Sequence, residues 1–159
     1  MKGLFYGCHN LTSIDLSNFD TTYVYDFSSM FEDCYKLKTL DISNFYSQES
    51  VYIDNMFSNC YSLKSIDLFS FENQEISFMN NIFKGYSNLT SINLENFDTE
   101  LVTNMSSIFY ECSSLKSINL SNFNTRNVKY MEHMFYGCQN LKSIDLSNFN
   151  TEKLFNNII

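Results

Sequence analysis

Residues 135–149 read FYGCQNLKSIDLSNF, and close variants of that phrase recur along the chain at a constant step of 26 residues. Working outward from Phe135, the step finds phenylalanine at Phe109, Phe83, Phe57, Phe31 and Phe5. A second column holds Phe19, Phe45, Phe71, Phe97, Phe123 and Phe149, and a third Leu11, Leu37, Leu63, Leu89, Leu115 and Leu141. The chain is therefore six copies of one unit. Self-similarity at this period marks a solenoid, in which no copy buries its apolar face alone and each must stack on its neighbours.

Composition narrows the partners. The 159 residues are 44% hydrophobic and 17% aromatic, enough for one contiguous core and too aromatic for a disordered chain. A net charge of -8 gives no electrostatic support for nucleic acid or an anionic membrane, so a basic or neutral protein partner is expected. No apolar run approaches the roughly 18 residues of a membrane span, and Met1 opens no signal-peptide pattern. With no proline and only four glycines, nothing marks a linker, and residues 1–159 read as a single domain. Both ends cut through a repeat, so the chain is expected to be an excerpt of a longer repeat protein.

The unit has two halves with different periods. Around Ser117–Ser121, with Leu115, Ile118 and Leu120 inward, apolar and polar residues alternate as in a short half-buried strand. Val128, Met131, Met134, Phe135 and Cys138 then follow at offsets 3, 6, 7 and 10, one face of a helix at about 100° per residue. Between them Thr21, Thr99, Thr125 and Thr151, or the Asp or Asn just before each, sit where a turn or helix N-cap is wanted. Strand–helix units imply parallel strands about 4.8 Å apart and helices about 8–10 Å apart, so the stack should curve. The expected fold is an α/β solenoid of six such units, with a parallel sheet on the concave face and helices on the convex face.

The run Leu11-x-x-Ile14-x-Leu16, repeated as Leu37-x-x-Leu40-x-Ile42 and in four further copies, resembles the strand of leucine-rich repeats. The longer phrase from Met134-Phe135-Tyr136-Gly137-Cys138 through Leu141-Lys142-Ser143-Ile144-Asp145-Leu146-Ser147-Asn148-Phe149 resembles the BspA-like leucine-rich-repeat surface proteins. The resemblance spans essentially the whole chain. It implies a module displayed on the cell surface or secreted, binding an extracellular host or neighbouring-cell protein, without enzyme activity or cofactor. One departure stands out: the ladder asparagine of the ordinary repeat falls on Phe19 and its equivalents. Asn18, Asn44, Asn96, Asn122 and Asn148 come one residue earlier, where they can satisfy turn backbone groups; Ser70 breaks that column.

Function is expected on the strand residues that point away from the core. These run Ser13, Asp15, Ser17; Thr39, Asp41, Ser43; Ser65, Asp67, Phe69; Ser91, Asn93, Glu95; Ser117, Asn119, Ser121; and Ser143, Asp145, Ser147. Asp, Asn and Ser there suit three roles: solvating an exposed sheet face, binding basic side chains, or holding a cation. Phe69 is the sharpest anomaly, a large aromatic where four rungs place serine, with Glu95 at the same offset one rung later. It reads either as a binding anchor or as drift in an irregular rung. The candidate protein-binding set is Asp41, Asp67, Phe69, Asn93, Glu95 and Asn119.

Cys8, Cys34, Cys60, Cys112 and Cys138 share one offset, with Tyr86 in the sixth place. Helices about 8–10 Å apart would hold them beyond the disulfide reach of about 7 Å, so buried free thiols are expected. One cysteine per unit does not make a zinc site. Lys38, Lys64, Lys116 and Lys142 should line the rim beside the aspartates. His9 and His133 occupy unrelated offsets with no partnered carboxylate, and no phosphate loop is present, so catalysis has no candidate. The alternative to a protein-binding module is a spacer, or a scaffold that self-associates end to end.

Overall fold

The protein is described here by a computed structural model covering residues 1–71, 74–94 and 97–155. Its rungs repeat every 26 residues, but the expected strand–helix unit does not form. Among the described residues there is no α-helix. The regular elements are strand β1 (Val51–Tyr52), a single 3-10 turn (Phe69–Phe71) and strand β2 (Ile76–Phe78). β1 and β2 pair in parallel, with Val51 opposite Ile76 and a register shift before Tyr52 meets Phe78. Isolated parallel bridges join Asp26 to Tyr52 and Asn104 to Tyr130.

The segment read as helical is a chain of tight turns whose backbone donors are shared between two directions. In the second rung Met30, Glu32 and Cys34 donate back to the carbonyls of Phe27, Ser29 and Phe31 at 3.1, 3.2 and 3.1 Å. The intervening Ser29, Phe31 and Asp33 donate outward to Asp54, Met56 and Ser58 of the next rung at 2.8, 3.0 and 2.9 Å. The same outward bonding joins Gly3, Phe5 and Gly7 to the second rung, and Ser107, Phe109 and Glu111 to the sixth. Half of the donors thus make the local turns and half stitch the stack. An α-helix would have spent all of them within its own rung.

Two positions per rung make this possible. Ser29 and Asp33 lie at φ +56° and +63°, and their equivalents Asn55 and Asn59, Asn81 and Gly85, Ser107 and Glu111, His133 and Gly137 are also left-handed. A positive φ at the third residue is what a type II turn requires. For a residue other than glycine it costs roughly 1–2 kcal/mol, which the inter-rung bonds, each worth about 1 kcal/mol net, offset. The apolar offsets 3, 6, 7 and 10 were thus read on the wrong backbone but the right face: Val128, Met131 and Met134 are buried and Phe135 and Cys138 half-buried.

The other half of the unit is also corrected. Leu115 and Leu120 are buried as alternation predicts, but residues 115–120 form no ladder strand. The backbone N–H of Lys38 donates to the Thr12 carbonyl and that of Lys116 to the Thr90 carbonyl, and residues 115–120 carry no regular element. The parallel sheet of a concave face is absent there, and the curvature argued from helix spacing loses its basis.

What holds the rungs together is a ring column. Phe5, Phe31, Phe57, Phe83, Phe109 and Phe135 stack in near-parallel pairs with centroids 5.5–6.2 Å apart and interplanar angles no larger than 16°. The thiols lie alongside. Cys34, Cys60, Cys112 and Cys138 donate Sγ–H to the carbonyls of Phe5, Phe31, Phe83 and Phe109 at 3.0–3.2 Å, and all five cysteines are free. The reason offered by helix spacing is replaced by this one: these four thiols are each engaged with the backbone of the preceding rung. Burial pushes Cys34 and Cys138 up to about 11 and raises Cys60 and Cys112 further, so these thiols stay protonated at neutral pH.

Candidate protein-binding surface

The exposed face carrying the candidate residues is built from one turn repeated along the stack. Asp15, Asp41, Asp67, Asn119 and Asp145 each accept, through Oδ1, the backbone N–H two residues on, at 2.9–3.0 Å. These are Asx turns. They close just before the backbone bonds that return Phe19, Phe45, Phe71 and Phe123 to the residue three earlier, at 2.9, 2.9, 2.9 and 3.0 Å. The stripe of acidic side chains is thus first a set of turn-formers. Hydrogen bonds from Ser17, Ser43 and Ser147 hold the carboxyls of Asp15, Asp41 and Asp145 below the ordinary carboxylate value.

The asparagine column stitches these turns to one another. Asn44 Nδ2 donates to the carbonyls of Leu16 and Phe19 at 2.9 and 3.2 Å, and Asn148 Nδ2 to those of Leu120, Ser121 and Phe123 at 3.0–3.2 Å. The threonines are not helix caps. Thr21 and Thr99 each donate Oγ1–H to the carbonyl of the residue 25 positions on and accept that residue's N–H, while the adjacent Asp20 and Asp98 take the local turn. Thr and Asp therefore divide the roles between which the sequence left a choice.

Of the six candidates, Asp41, Asp67, Phe69, Asn93 and Asn119 all lie exposed on this face, and Glu95 falls outside the described residues. Phe69 is 72% exposed and opens the 3-10 turn. Alternation hid one further feature. Ile14, Leu40, Ile66, Ile92, Ile118 and Ile144, expected in the core, are only partly buried, so a half-exposed apolar column runs beside the acidic and serine positions. Its signal was available in the regularity of the column, but a two-residue period assigns such residues wholly inward when no ladder fixes their tilt.

The remaining sequence candidates separate. His9 stacks on Tyr35 at 4.5 Å with Nδ1 2.9 Å from the Asp33 carbonyl, whereas His133 sits at φ +57° beside Tyr110 and Tyr136. Lys38, Lys64, Lys116 and Lys142 are exposed beside the acidic column. Among the described residues no group of His, Cys, Asp and Glu could hold a metal ion, and no helix is long and apolar enough to cross a membrane.

A family model described as "Mycoplasma protein of unknown function, DUF285" matches residues 1–90 and 77–157. The chain belongs to this family. Among solved structures, the DUF285 chain is similar to a leucine-rich-repeat protein from Bacteroides ovatus, at 26% identity and a TM-score of 0.50, over 94% of this chain and 41% of that one. It is also similar to the Treponema pallidum leucine-rich-repeat protein TpLRR, at 20% identity and a TM-score of 0.49, over 88% of this chain and 69% of that one. Its structural neighbours are thus leucine-rich-repeat proteins, although among the described residues no rung forms the strand–helix unit expected from its apolar periodicity. Among curated proteins nothing matches the DUF285 chain.

Proposed function

We propose that this chain is a non-catalytic repeat module that binds a protein partner across the face bearing Phe69, on the cell surface, in adhesion or host-protein recognition of the BspA-like kind. The observation that carries the reading is Phe69 itself: a phenylalanine 72% exposed, at an offset that is serine in four other rungs, in a rung that carries the partly buried Ile66 and next to one that carries the partly buried Ile92. A large aromatic flanked by apolar and acidic side chains has the make-up of an interface anchor. Asp41, Asp67, Asn93 and Asn119 supply polar groups around it, with one oxygen of Asp41 and Asp67 occupied by its own turn.

The test is a pull-down of extracellular proteins on the immobilised chain, followed by affinity measurement with Phe69→Ser, which restores the residue of other rungs. A loss of tenfold or more in affinity supports the anchor; unchanged affinity rejects it. Antibody labelling of intact against permeabilised cells tests the surface location, and signal only after permeabilisation overturns it.

A further inference from the structure

A ladder of stacked rings that does not include Phe69 stops abruptly after the third rung. His9, Tyr35 and Tyr61 occupy one column with centroids 4.5 and 5.2 Å apart and planes within 18°. The next two rungs place Ser87 and Ser113 there. The vacated space is a cleft of about 410 Å³ whose lining includes Tyr61, Gly85, Ser87, Glu111, Ser113 and Tyr136. Tyr136 is itself backed by Tyr110 at 4.9 Å, so the cleft lies between the ends of two tyrosine stacks.

Glycine shapes its floor. Gly85 sits at φ +70°, and a methyl group there would lie 3.2 Å from the Tyr61 ring and in collision with Asn59. Gly137, at φ +77°, would place a methyl 3.1 Å from Cγ of Glu111, so its bareness lets the Glu111 side chain lie across the following rung. Glu111 is exposed, and its charge reaches the ring: burial, then Asp33 and Glu111, raise the Tyr61 hydroxyl above its ordinary value.

We propose that this cleft is a second recognition site, which takes an arginine side chain from an extended segment of a partner protein. A guanidinium stacks flat on tyrosine and forms a forked, charge-assisted pair with a carboxylate, and the two serine hydroxyls add acceptors. An anionic or purely apolar occupant would leave Glu111 repelled or desolvated, and the chain's net charge of -8 favours approach of a cation. Lysine offers the charge without the flat face. The site is independent of Phe69 and rests only on the reading of the chain as a protein-binding module.

The four glycines provide the assay, because Gly85 and Gly137 border the cleft while in the first rung Gly7 holds their turn position and Gly3 the left-handed position four residues earlier. The ¹⁵N-labelled chain is titrated with the acetylated, amidated peptide Gly-Gly-Arg-Gly-Gly and with its citrulline counterpart, which keeps the shape and loses the charge. The expected result is saturable shifts at Gly85 and Gly137 with the arginine peptide, little change at Gly3 and Gly7, and binding at least fivefold weaker with citrulline. Glu111→Gln should abolish the difference between the peptides. Ser87→Tyr, which continues the ladder with the residue that Tyr35 and Tyr61 already place in this column, should block binding while leaving the fold intact. Equal binding of the two peptides, equal shifts at all four glycines, or unchanged binding to Ser87→Tyr would each overturn the proposal. Phe69→Ala should leave the titration unaffected, so the two sites fail separately.

Discussion

The turn from Asp41 to Phe45 and its counterpart from Asp67 to Phe71 are built alike and anchored differently. Both open with an aspartate accepting the N–H two residues on at 2.9 Å, and both close with a bond back to the residue three earlier. In the first, however, Asn44 reaches the carbonyls of Leu16 and Phe19 in the preceding rung, whereas in the second Ser70 replaces that asparagine and its buried Oγ finds no partner. The stitch to the preceding turn is lost, the backbone tightens into a 3-10 turn, and Phe69 stands out from it. Nearby, Ser47 N–H is taken by Gln74 Oε1 at 3.2 Å, and β1 and β2 pair in the longest ladder among the described residues. Regular rungs are held turn to turn by side-chain amides; the irregular one leans on backbone pairing. A site has room to appear where the repeat relaxes its own rules.

The comparison breaks most visibly if the ring column shared by all rungs is cut. Phe57→Ala, next to the irregular rung, should cost about 3–5 kcal/mol through the cavity left between Phe31 and Phe83, read as a lowered urea midpoint. A loss as small as that of an exposed residue would mean the rings do not carry the stack. Next in size is the stitch. Asn44→Ala should cost about 1 kcal/mol, and Ser70→Asn should gain up to about 1 kcal/mol by restoring the regular turn. If both variants destabilise, the missing asparagine is not what distinguishes the irregular rung.

Smaller still is the backbone effect. Ser107→Gly, at φ +57°, should stabilise by a few tenths to about 1 kcal/mol, since glycine relieves the left-handed cost but adds chain entropy to the unfolded state. Destabilisation would contradict the turn conformation. The smallest effect is read from pH. Hydrogen bonds lower the Asp15 carboxyl below its unfolded value of 3.8, so its contribution is present above that value and lost as pH falls through the folded one. Asp54 is opposite: burial raises its carboxyl and Oδ1 lacks a partner, so its protonated form favours the fold and its burden appears as pH rises. Asp54→Asn should therefore stabilise at neutral pH, with the gain shrinking in acid, while Asp15→Asn should cost least in acid. Thermal melts across pH 3–7, a span bracketing ordinary carboxylate values of about 4, check both signs.

The repeat, its register and its core columns were legible in the sequence because they depend on residue type at a fixed step. Phe31, Phe57 and Leu63 could be placed inside without knowing the path of the chain between them, and Phe69 could be marked as the break. The asparagine column's role at the turns was legible too, since a buried turn must satisfy its carbonyls. The helix was not so decided. Apolar residues at offsets 3, 6, 7 and 10 suit one face of a helix and equally suit one face of a chain of tight turns. A contrary signal was present: Gly3, Ser29, Asn55, Asn81, Ser107 and His133 form one column, Gly7, Asp33, Asn59, Gly85, Glu111 and Gly137 another four residues on, and all four glycines lie in them.

By itself, then, the sequence determined that this protein stacks and which side chains meet between rungs, because burial follows from a repeated pattern of apolar residues. Only the tertiary structure decided the backbone of each rung and the surfaces that result, the half-exposed isoleucine column and the tyrosine-bounded cleft. The physical reason is where the N–H groups go. In this stack alternate donors leave for the neighbouring rung, and a bond to a residue 25 positions away is settled by the assembled stack rather than by the local chain.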